Sequence, residues 1–196
     1  LLKDLETLYR QINEGEDTAL PPKTSSFKVW AEGLTEVDLD TQEKVYWENL
    51  FSLEESEEEA EHHHSGAIFE QDNSTGNVTR QLDKPATQAF LQDSNRDRPQ
   101  EKLLAALTLA ATQLFDCSSI RLDMEGHGRE DALVPGARLV RTVGWFTSLF
   151  PVVLTAEPDS ASTLRAVKQT LRSIPQHGSG YGILRYFGDE ETQTKL

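Results

Sequence analysis

Ionisable side chains are most concentrated in one run of the sequence, Asp123-Met124-Glu125-Gly126-His127-Gly128-Arg129-Glu130. The run combines carboxylates, an imidazole and a guanidinium with two glycines. Carboxylates and imidazoles transfer protons in enzymes, and glycines let a ligand come close to the backbone. The run is therefore a candidate site of proton transfer.

Glu125 is the main candidate within this run because it lies at the end of a predicted strand, which holds a side chain firmly. Its carboxylate can remove or donate a proton, or it can pair with Arg129 or Arg141 and fix a loop. The residues alone leave both interpretations open. His127 in this spacing is more typical of a structural hydrogen-bond partner. Arg129 and Arg141 can hold an anion, but such arginines more often pair with carboxylates such as Glu130.

Metal chemistry is the least favoured interpretation. Asp123, Glu125 and His127 share one face of the predicted strand, but no further ligand is evident and the spacing is not a strong zinc pattern. The neighbouring histidines His62 to His64 do not converge well on one ion from a single loop. The chain also has no glycine-rich phosphate loop and no serine-hydrolase elbow. We therefore expect no metal site.

The elements that must position these residues are a mixture of helices and strands, which indicates a layered α/β or α+β fold. Ile120, Leu122 and Met124 alternate with charged residues, so a half-buried strand is predicted over residues 119–125. Other strands are predicted over residues 77–82 and 145–154, and a mobile loop over residues 178–182. Helices are predicted from Leu1 to Gly15, after Ser25 or Ser26, over residues 41–52, after Pro85, over residues 101–115, and from Ser160 or Ser162 to Pro175. The helix over residues 101–115 is apolar nearly all round, as is typical of a buried helix.

Composition and charge disfavour two classes of function, nucleic-acid binding and membrane association. The 196 residues carry a formal net charge of −14, and residues 1–75 hold 19 acidic and 5 basic side chains. Such acidity disfavours nucleic-acid binding. No apolar run approaches the roughly 20 residues that a membrane helix needs, so no membrane partner is expected. Cys117 is the only cysteine, which favours a reducing, cytoplasmic environment.

The polar, acidic middle of the chain predicts its division into units. A linker is predicted over residues 63–75, between a helical unit at residues 1–62 and a mixed unit at residues 76–196. Because the chain begins with Leu1 rather than Met, we expect it to lie inside a longer polypeptide.

Several ordered segments resemble those of nonribosomal peptide synthetase epimerization domains, members of the condensation-domain superfamily. The run at Glu125 resembles the EGHGRE motif of that family, and residues 141–152 and 180–186 are similar to the two segments that follow it. Near the start of the chain, residues 4–9, residues 20–31 and the pair Tyr46-Trp47 match in order. The resemblance covers nearly the whole chain.

The resemblance implies a chloramphenicol-acetyltransferase-like fold of two lobes around a tunnel, here the end of the N-terminal lobe and most of the C-terminal lobe. It implies an enzyme that converts an L-aminoacyl or peptidyl thioester to the D-form. The substrate is carried on the 4'-phosphopantetheine of a partner carrier protein, beside neighbouring synthetase domains, and no cofactor binds directly. By the family's motif, Glu125 is a catalytic acid/base. We expect His127, Arg129, Glu130 and Arg141 to support it, and Trp145, Phe146, Ser148 and Tyr181 to line the tunnel.

One family motif, HHxxxDG, whose second histidine is catalytic, has no match in these residues. His62-His63-His64 lacks its aspartate and glycine and lies on the wrong side of the first helix. The resemblance therefore indicates an interior portion that is inert without the rest of the domain. The alternatives are a condensation domain, which forms a peptide bond, and a non-catalytic module that docks a carrier protein. The amino acid that is inverted does not follow from the sequence.

Overall fold

A computed structural model describes residues 1–52, 78–92 and 97–196 of the chain. A short 3₁₀ turn at Asp131–Leu133 and a tight turn at Pro175–Gly178 accompany the longer elements. These longer elements are α1 (Leu2–Glu14), α2 (Phe27–Leu34), α3 (Thr41–Ser52), α4 (Lys84–Gln92), α5 (Pro99–Phe115), β1 (Ser119–Gly126), β2 (Ser148–Thr155), α6 (Ser160–Ser173), α7 (Ser179–Phe187) and α8 (Glu190–Lys195).

The chain forms two compact units, each made from segments that are distant in sequence. The first unit joins Leu1–Val37 to Arg129–Phe146, and the second joins Asp38–Gly128 to Thr147–Leu196. The linker predicted over residues 63–75 lies outside the described residues. The boundaries predicted for that linker therefore stay a prediction.

The first unit is organised around the ring of Phe146. Ser26 caps α2, since its hydroxyl oxygen accepts a hydrogen bond from the backbone N–H of Val29 at 3.2 Å. The capped helix holds Trp30, which is 3% exposed, against Phe146 with ring centroids 6.2 Å apart. Phe27 meets the same ring edge-on at 5.1 Å. The helix predicted after Ser25 or Ser26 is thus confirmed, and Ser26 is its cap.

The second unit has its core on one face of an antiparallel pair of strands. β1 and β2 pair in the register that places Leu122 opposite Val152 and Gly126 opposite Ser148. Around this pair, α3, α5, α6 and α7 contribute buried side chains. The buried cluster consists of Trp47, Ala105, Phe150, Val152, Leu154, Val167 and Leu184. The predicted strand before Gly126 is confirmed, with its alternation of half-buried and exposed residues.

The helices predicted from Leu1, over residues 41–52, after Pro85 and before Pro175 are confirmed as α1, α3, α4 and α6. The strand predicted over residues 77–82 is wrong for its described part, because residues 78–83 have no regular structure and pair with no strand. Val78 is 85% exposed, so no neighbour covers an apolar face there. The strand predicted over residues 145–154 begins only at Ser148.

The expectation that α5 is buried all round is wrong. Leu103, Leu107 and Leu114 are 59%, 50% and 76% exposed, and the buried face carries Ala105 and Thr108 instead. Threonine hydroxyls fit this face because each donates a hydrogen bond to a carbonyl one turn earlier, as Thr108 does to Leu104 at 2.8 Å. Among the described helices, none has the length and apolarity needed to cross a bilayer.

The loop predicted over residues 178–182 is also wrong, since residues 179–182 form the first turn of α7. Its glycines let the helix approach the buried carboxylate of Glu43 on α3. Glu43 is 4% exposed, and Trp47 Nε1 donates a hydrogen bond to its Oε1 at 3.4 Å. A β-carbon at Gly180 would lie 1.9 Å from that oxygen, so only glycine fits there. Burial raises the pKa of the Glu43 carboxyl, and the hydrogen bond from Trp47 opposes this increase.

Two glycines of α7 provide a matched test of this close approach. We expect Gly180→Ala to lower the free energy of unfolding by about 1–3 kcal/mol, because the added methyl group overlaps Glu43. Gly182 has no atom within 4 Å of its β-carbon position. Gly182→Ala is therefore expected to raise the free energy of unfolding by about 0.5–1 kcal/mol through lower chain entropy. Urea denaturation measures both, and equal effects would contradict the packing of α7 on Glu43.

The buried carboxyl of Glu43 also predicts a pH dependence of stability. Its folded-state pKa lies above the ordinary value of 4.5, so folding takes up a proton once the pH exceeds that value. Stability of the wild type therefore falls as the pH rises from about 4.5 through the folded-state pKa. Glu43→Gln keeps an acceptor for Trp47 but does not titrate. We expect its stability relative to the wild type to increase with pH in urea titrations, and a constant difference between pH 4 and 8 would contradict this.

Candidate active site

Glu125 lies near the end of β1, on the exposed face of the strand. It pairs across the sheet with Leu149, while Met124 beside it packs against the core on the opposite face. Its carboxylate makes no hydrogen bond or ion pair with any other residue in the described ranges. The structure thus holds Glu125 by its backbone and leaves its carboxylate facing outward.

Gly126, the next residue, permits an unusually close approach of three neighbours. A β-carbon at this position would lie 2.9 Å from Ser148 Oγ, 3.2 Å from Phe150 Cε1 and 3.3 Å from the carbonyl oxygen of His177. Such distances are tighter than ordinary van der Waals contact. At Gly126 the missing β-carbon therefore makes room for two side chains and one backbone carbonyl of the protein itself.

The turn Gln176-His177-Gly178 supplies that backbone. All three residues have left-handed conformations, with φ of 44° at Gln176, 51° at His177 and 85° at Gly178. Gly178 fits against Phe150, whose ring lies 2.0 Å from the position of a β-carbon there. The turn also brings the ring of His177 to a centroid distance of 6.4 Å from His127.

Ser148, at the start of β2, turns its hydroxyl into this packed strand end. The Oγ atoms of Ser148 and Ser179 are buried and have no hydrogen-bond partner among the described residues. A buried hydroxyl without a partner is costly, so it calls for a specific explanation such as a bound water or ligand. Glu125, His127 and Ser148 thus lie at one end of the β1–β2 pair, with Glu125 on its exposed face and Ser148 on its core face, and His177 lies near His127. Sequence reasoning missed His177; its position between Pro175 and Gly178 was the available signal of a tight turn.

Arg129 belongs to the first unit, where it stabilises a loop. Its Nη1 donates hydrogen bonds to the carbonyl oxygens of Leu139, at 3.0 Å, and Thr142, at 2.9 Å. Its guanidinium carbon lies 4.1 Å from the ring centroid of Phe146, a cation–π contact. These contacts join Arg129 to residues 139–146 within the first unit.

Arg141 is likewise engaged within the first unit. Its Nη2 donates a hydrogen bond to Asp4 Oδ1 at 2.7 Å, in an ion pair that is about two-thirds buried. Glu130 is half-buried and directly precedes the turn Asp131–Leu133. Trp145 is 84% exposed. The supporting and lining roles predicted for these residues stay predictions.

Tyr181, on α7, packs into the core of the second unit. Its ring centroid lies 5.3 Å from that of Trp47, and burial raises the pKa of its hydroxyl. Its role as a tunnel residue stays a prediction too. No group of three or more histidine, cysteine, aspartate or glutamate side chains in the described part of the chain is arranged to hold a metal ion. His62 to His64 lie outside that part.

The contacts of Arg129 generate a test of its structural role. We expect Arg129→Lys to lower the free energy of unfolding by about 1–2 kcal/mol, because an ammonium group cannot contact both carbonyls and stack on Phe146. Arg138→Lys, at an exposed guanidinium nearby in sequence, is the control and is expected to change stability by less than about 0.5 kcal/mol. Indistinguishable urea midpoints for the two variants would show that the Arg129 contacts contribute nothing.

Comparison with known proteins shows which family the chain belongs to. A sequence profile described as Condensation domain matches residues 1–196. Linear gramicidin synthase subunits C and B of Brevibacillus parabrevis are 43% and 38% identical to the chain, each over 100% of it. The chain spans only 3% and 4% of the length of these two relatives.

Among solved structures, the epimerization domain from the third module of tyrocidine synthetase B is similar to the chain. It is 29% identical with a TM-score of 0.67, and the match covers 99% of this chain and 44% of that one. The predicted chloramphenicol-acetyltransferase-like fold is thereby confirmed. With a family profile that spans its full length, the chain belongs to the condensation-domain family of nonribosomal peptide synthetases.

Proposed function

We propose that this chain is part of an epimerization domain, which inverts the α-carbon of an aminoacyl or peptidyl thioester. One observation carries the proposal: the EGHGRE-like run places Glu125 at a strand end with an outward, unpaired carboxylate in the described structure. The likeness to a solved epimerization domain over 99% of the chain supports it.

In this proposal Glu125 removes the α-proton of the aminoacyl or peptidyl thioester. The C–H bond breaks, the carboxylate takes the proton, and the electron pair moves into the thioester carbonyl as an enolate. Return of a proton to the opposite face re-forms a C–H bond and inverts the carbon. A second group on that opposite face suits this best, and we assign that part to a histidine outside the residues of this chain.

The partners follow from the same proposal. The substrate reaches Glu125 on the 4'-phosphopantetheine arm of a carrier protein, and neighbouring synthetase domains supply and accept it. Ser148 pairs with Gly126 on the core face of β2, opposite the face of Glu125, and its buried hydroxyl has no partner among the described residues, so its role as a lining residue stays a prediction.

The second candidate is a condensation domain that joins two carrier-bound substrates. The profile that matches the chain carries that description, so the family itself favours the alternative. However, bond formation gives Glu125 no obvious proton to handle. Chiral analysis of the product separates the two: inversion without chain extension supports epimerization, and extension without inversion supports condensation.

Solvent exchange tests the role of Glu125. We expect the full-length protein in D₂O to introduce deuterium at the α-carbon of an L-aminoacyl group on its carrier protein, assayed with a panel of amino acids. Glu125→Gln is expected to reduce the exchange rate at least about 100-fold, because general acid–base catalysis contributes that much. Mass spectrometry of the released amino acid measures it.

Asp123→Asn is the matched control, since Asp123 lies two residues earlier on the same exposed face of β1. We expect this variant to retain the exchange. Undiminished exchange in Glu125→Gln would remove Glu125 from the mechanism. Equal loss in both variants would attribute the effect to the charge of the strand face rather than to one carboxylate.

A further inference from the structure

We propose that Leu149 is a specificity residue of the site at Glu125. It contacts the side chain of the amino acid whose α-carbon is inverted, and it favours apolar side chains there. The inference rests on the proposed epimerization and concerns the substrate class of that same site. Leu149 carries no proton, so it takes no part in the proton transfers themselves.

Leu149 is the residue directly opposite Glu125 in the sheet. The register of β1 and β2 pairs these two residues. Side chains that oppose each other on one face of an antiparallel pair have β-carbons about 4.5–5.5 Å apart. Both side chains lie on the face away from the core, because the next pair, Met124 and Phe150, packs into the core. The leucine side chain is therefore the immediate cross-strand neighbour of the proposed base.

The face of the sheet that carries Glu125 consists of a charged row on one strand and an apolar row on the other. The charged row on β1 is Arg121, Asp123 and Glu125, and the apolar row on β2 is Leu149, Pro151 and Val153. Pro151 is buried and Val153 is half-buried, whereas Leu149 is 63% exposed. The most exposed member of the apolar row is thus the one beside Glu125. A ligand that reaches the carboxylate of Glu125 can therefore also cover Leu149.

The backbone on both sides of this pair is held by tight packing. Gly126, which follows Glu125, pairs with Ser148, and a β-carbon at Gly126 would lie 2.9 Å from Ser148 Oγ. Phe150, which follows Leu149, is only 5% exposed and belongs to the core. Side chains on rigid strands are placed more precisely than side chains on loops. The core thus fixes the positions of Glu125 and Leu149 relative to each other.

The chemistry of leucine decides which part of the substrate it can contact. The α-carbon bears a hydrogen, a nitrogen, the thioester carbonyl and the amino-acid side chain. When the hydrogen points at the carboxylate of Glu125, the other three substituents spread around it, and one of them lies over Leu149. The nitrogen and the carbonyl oxygen need hydrogen-bond partners, which leucine cannot supply. An apolar side chain needs none and gains when both surfaces leave water, so it is the substituent that fits there.

Truncation of the substrate and of Leu149, singly and together, tests this contact. The full-length protein receives its carrier protein loaded with an L-leucyl or an L-alanyl thioester, and chiral analysis gives kcat/KM for inversion. We expect the wild type to prefer the leucyl substrate at least about tenfold, as apolar contacts do in enzyme pockets. Leu149→Ala is expected to remove most of this preference by lowering kcat/KM for the leucyl substrate alone. Leu149→Asn, which keeps the approximate size of the side chain but is polar, is expected to do the same.

Leu103→Ala is the matched control, since Leu103 on α5 is 59% exposed, close to the exposure of Leu149. We expect this variant to keep both values of kcat/KM. An equal preference of the wild type for the two substrates, or a preference that Leu149→Ala leaves unchanged, would overturn the contact while leaving the epimerization intact.

An equal loss on the leucyl and alanyl substrates in Leu149→Ala would also overturn it. Such a loss would place Leu149 against a part that both substrates share, such as the phosphopantetheine arm. Absence of inversion by the wild type with either substrate, and with the wider panel of amino acids, would instead overturn the proposed function, and this inference with it.

Discussion

The antiparallel pairing of β1 with β2 is the interaction on which the candidate site depends. Phe150, Val152 and Leu154 of β2 are buried, so the register of this strand is held by the core. Pairing in that register turns Met124 inward and Glu125 outward. A slip by one residue would exchange the two faces and bury a carboxylate, at a cost that the core contacts prevent. The direction of the proposed base is thus set by apolar packing on the other side of the sheet.

Close backbone approach is the second constraint, and glycine makes it possible at each point. Gly126 and Gly178 let the turn before α7 rest on the strand end, and Gly180 lets α7 rest on Glu43. Each approach brings a polar group into a packed region. The two polar groups differ in their hydrogen bonding. Trp47 donates a hydrogen bond to Glu43, whereas the hydroxyl of Ser148 has no partner among the described residues. The strand end therefore combines a rigid backbone with a buried hydroxyl that has no partner among the described residues.

Much of the local structure could be predicted from the sequence, because the signals were local. Helical spacing and a serine cap predicted α2, and strict alternation predicted β1 with Glu125 facing out. The failures have a common cause. The strand predicted over residues 77–82 failed because a strand needs a paired neighbour, and residues 78–83 have none. The loop predicted over residues 178–182 failed because its glycines let a helix pack against the buried carboxylate of Glu43. Tertiary contacts decided both.

The sequence by itself determined the family and the candidate base, since ordered motifs and the alternation around Glu125 are properties of neighbouring residues. It also indicated the fold class, because apolar residues recur at helical spacing in some segments and at strand spacing in others. Only the tertiary structure decided the surroundings of Glu125. Arg129 stabilises a loop of its own unit, and His177 meets His127 from 50 residues further along the chain. Such contacts depend on how strands pair and turns pack, and no local spacing encodes them.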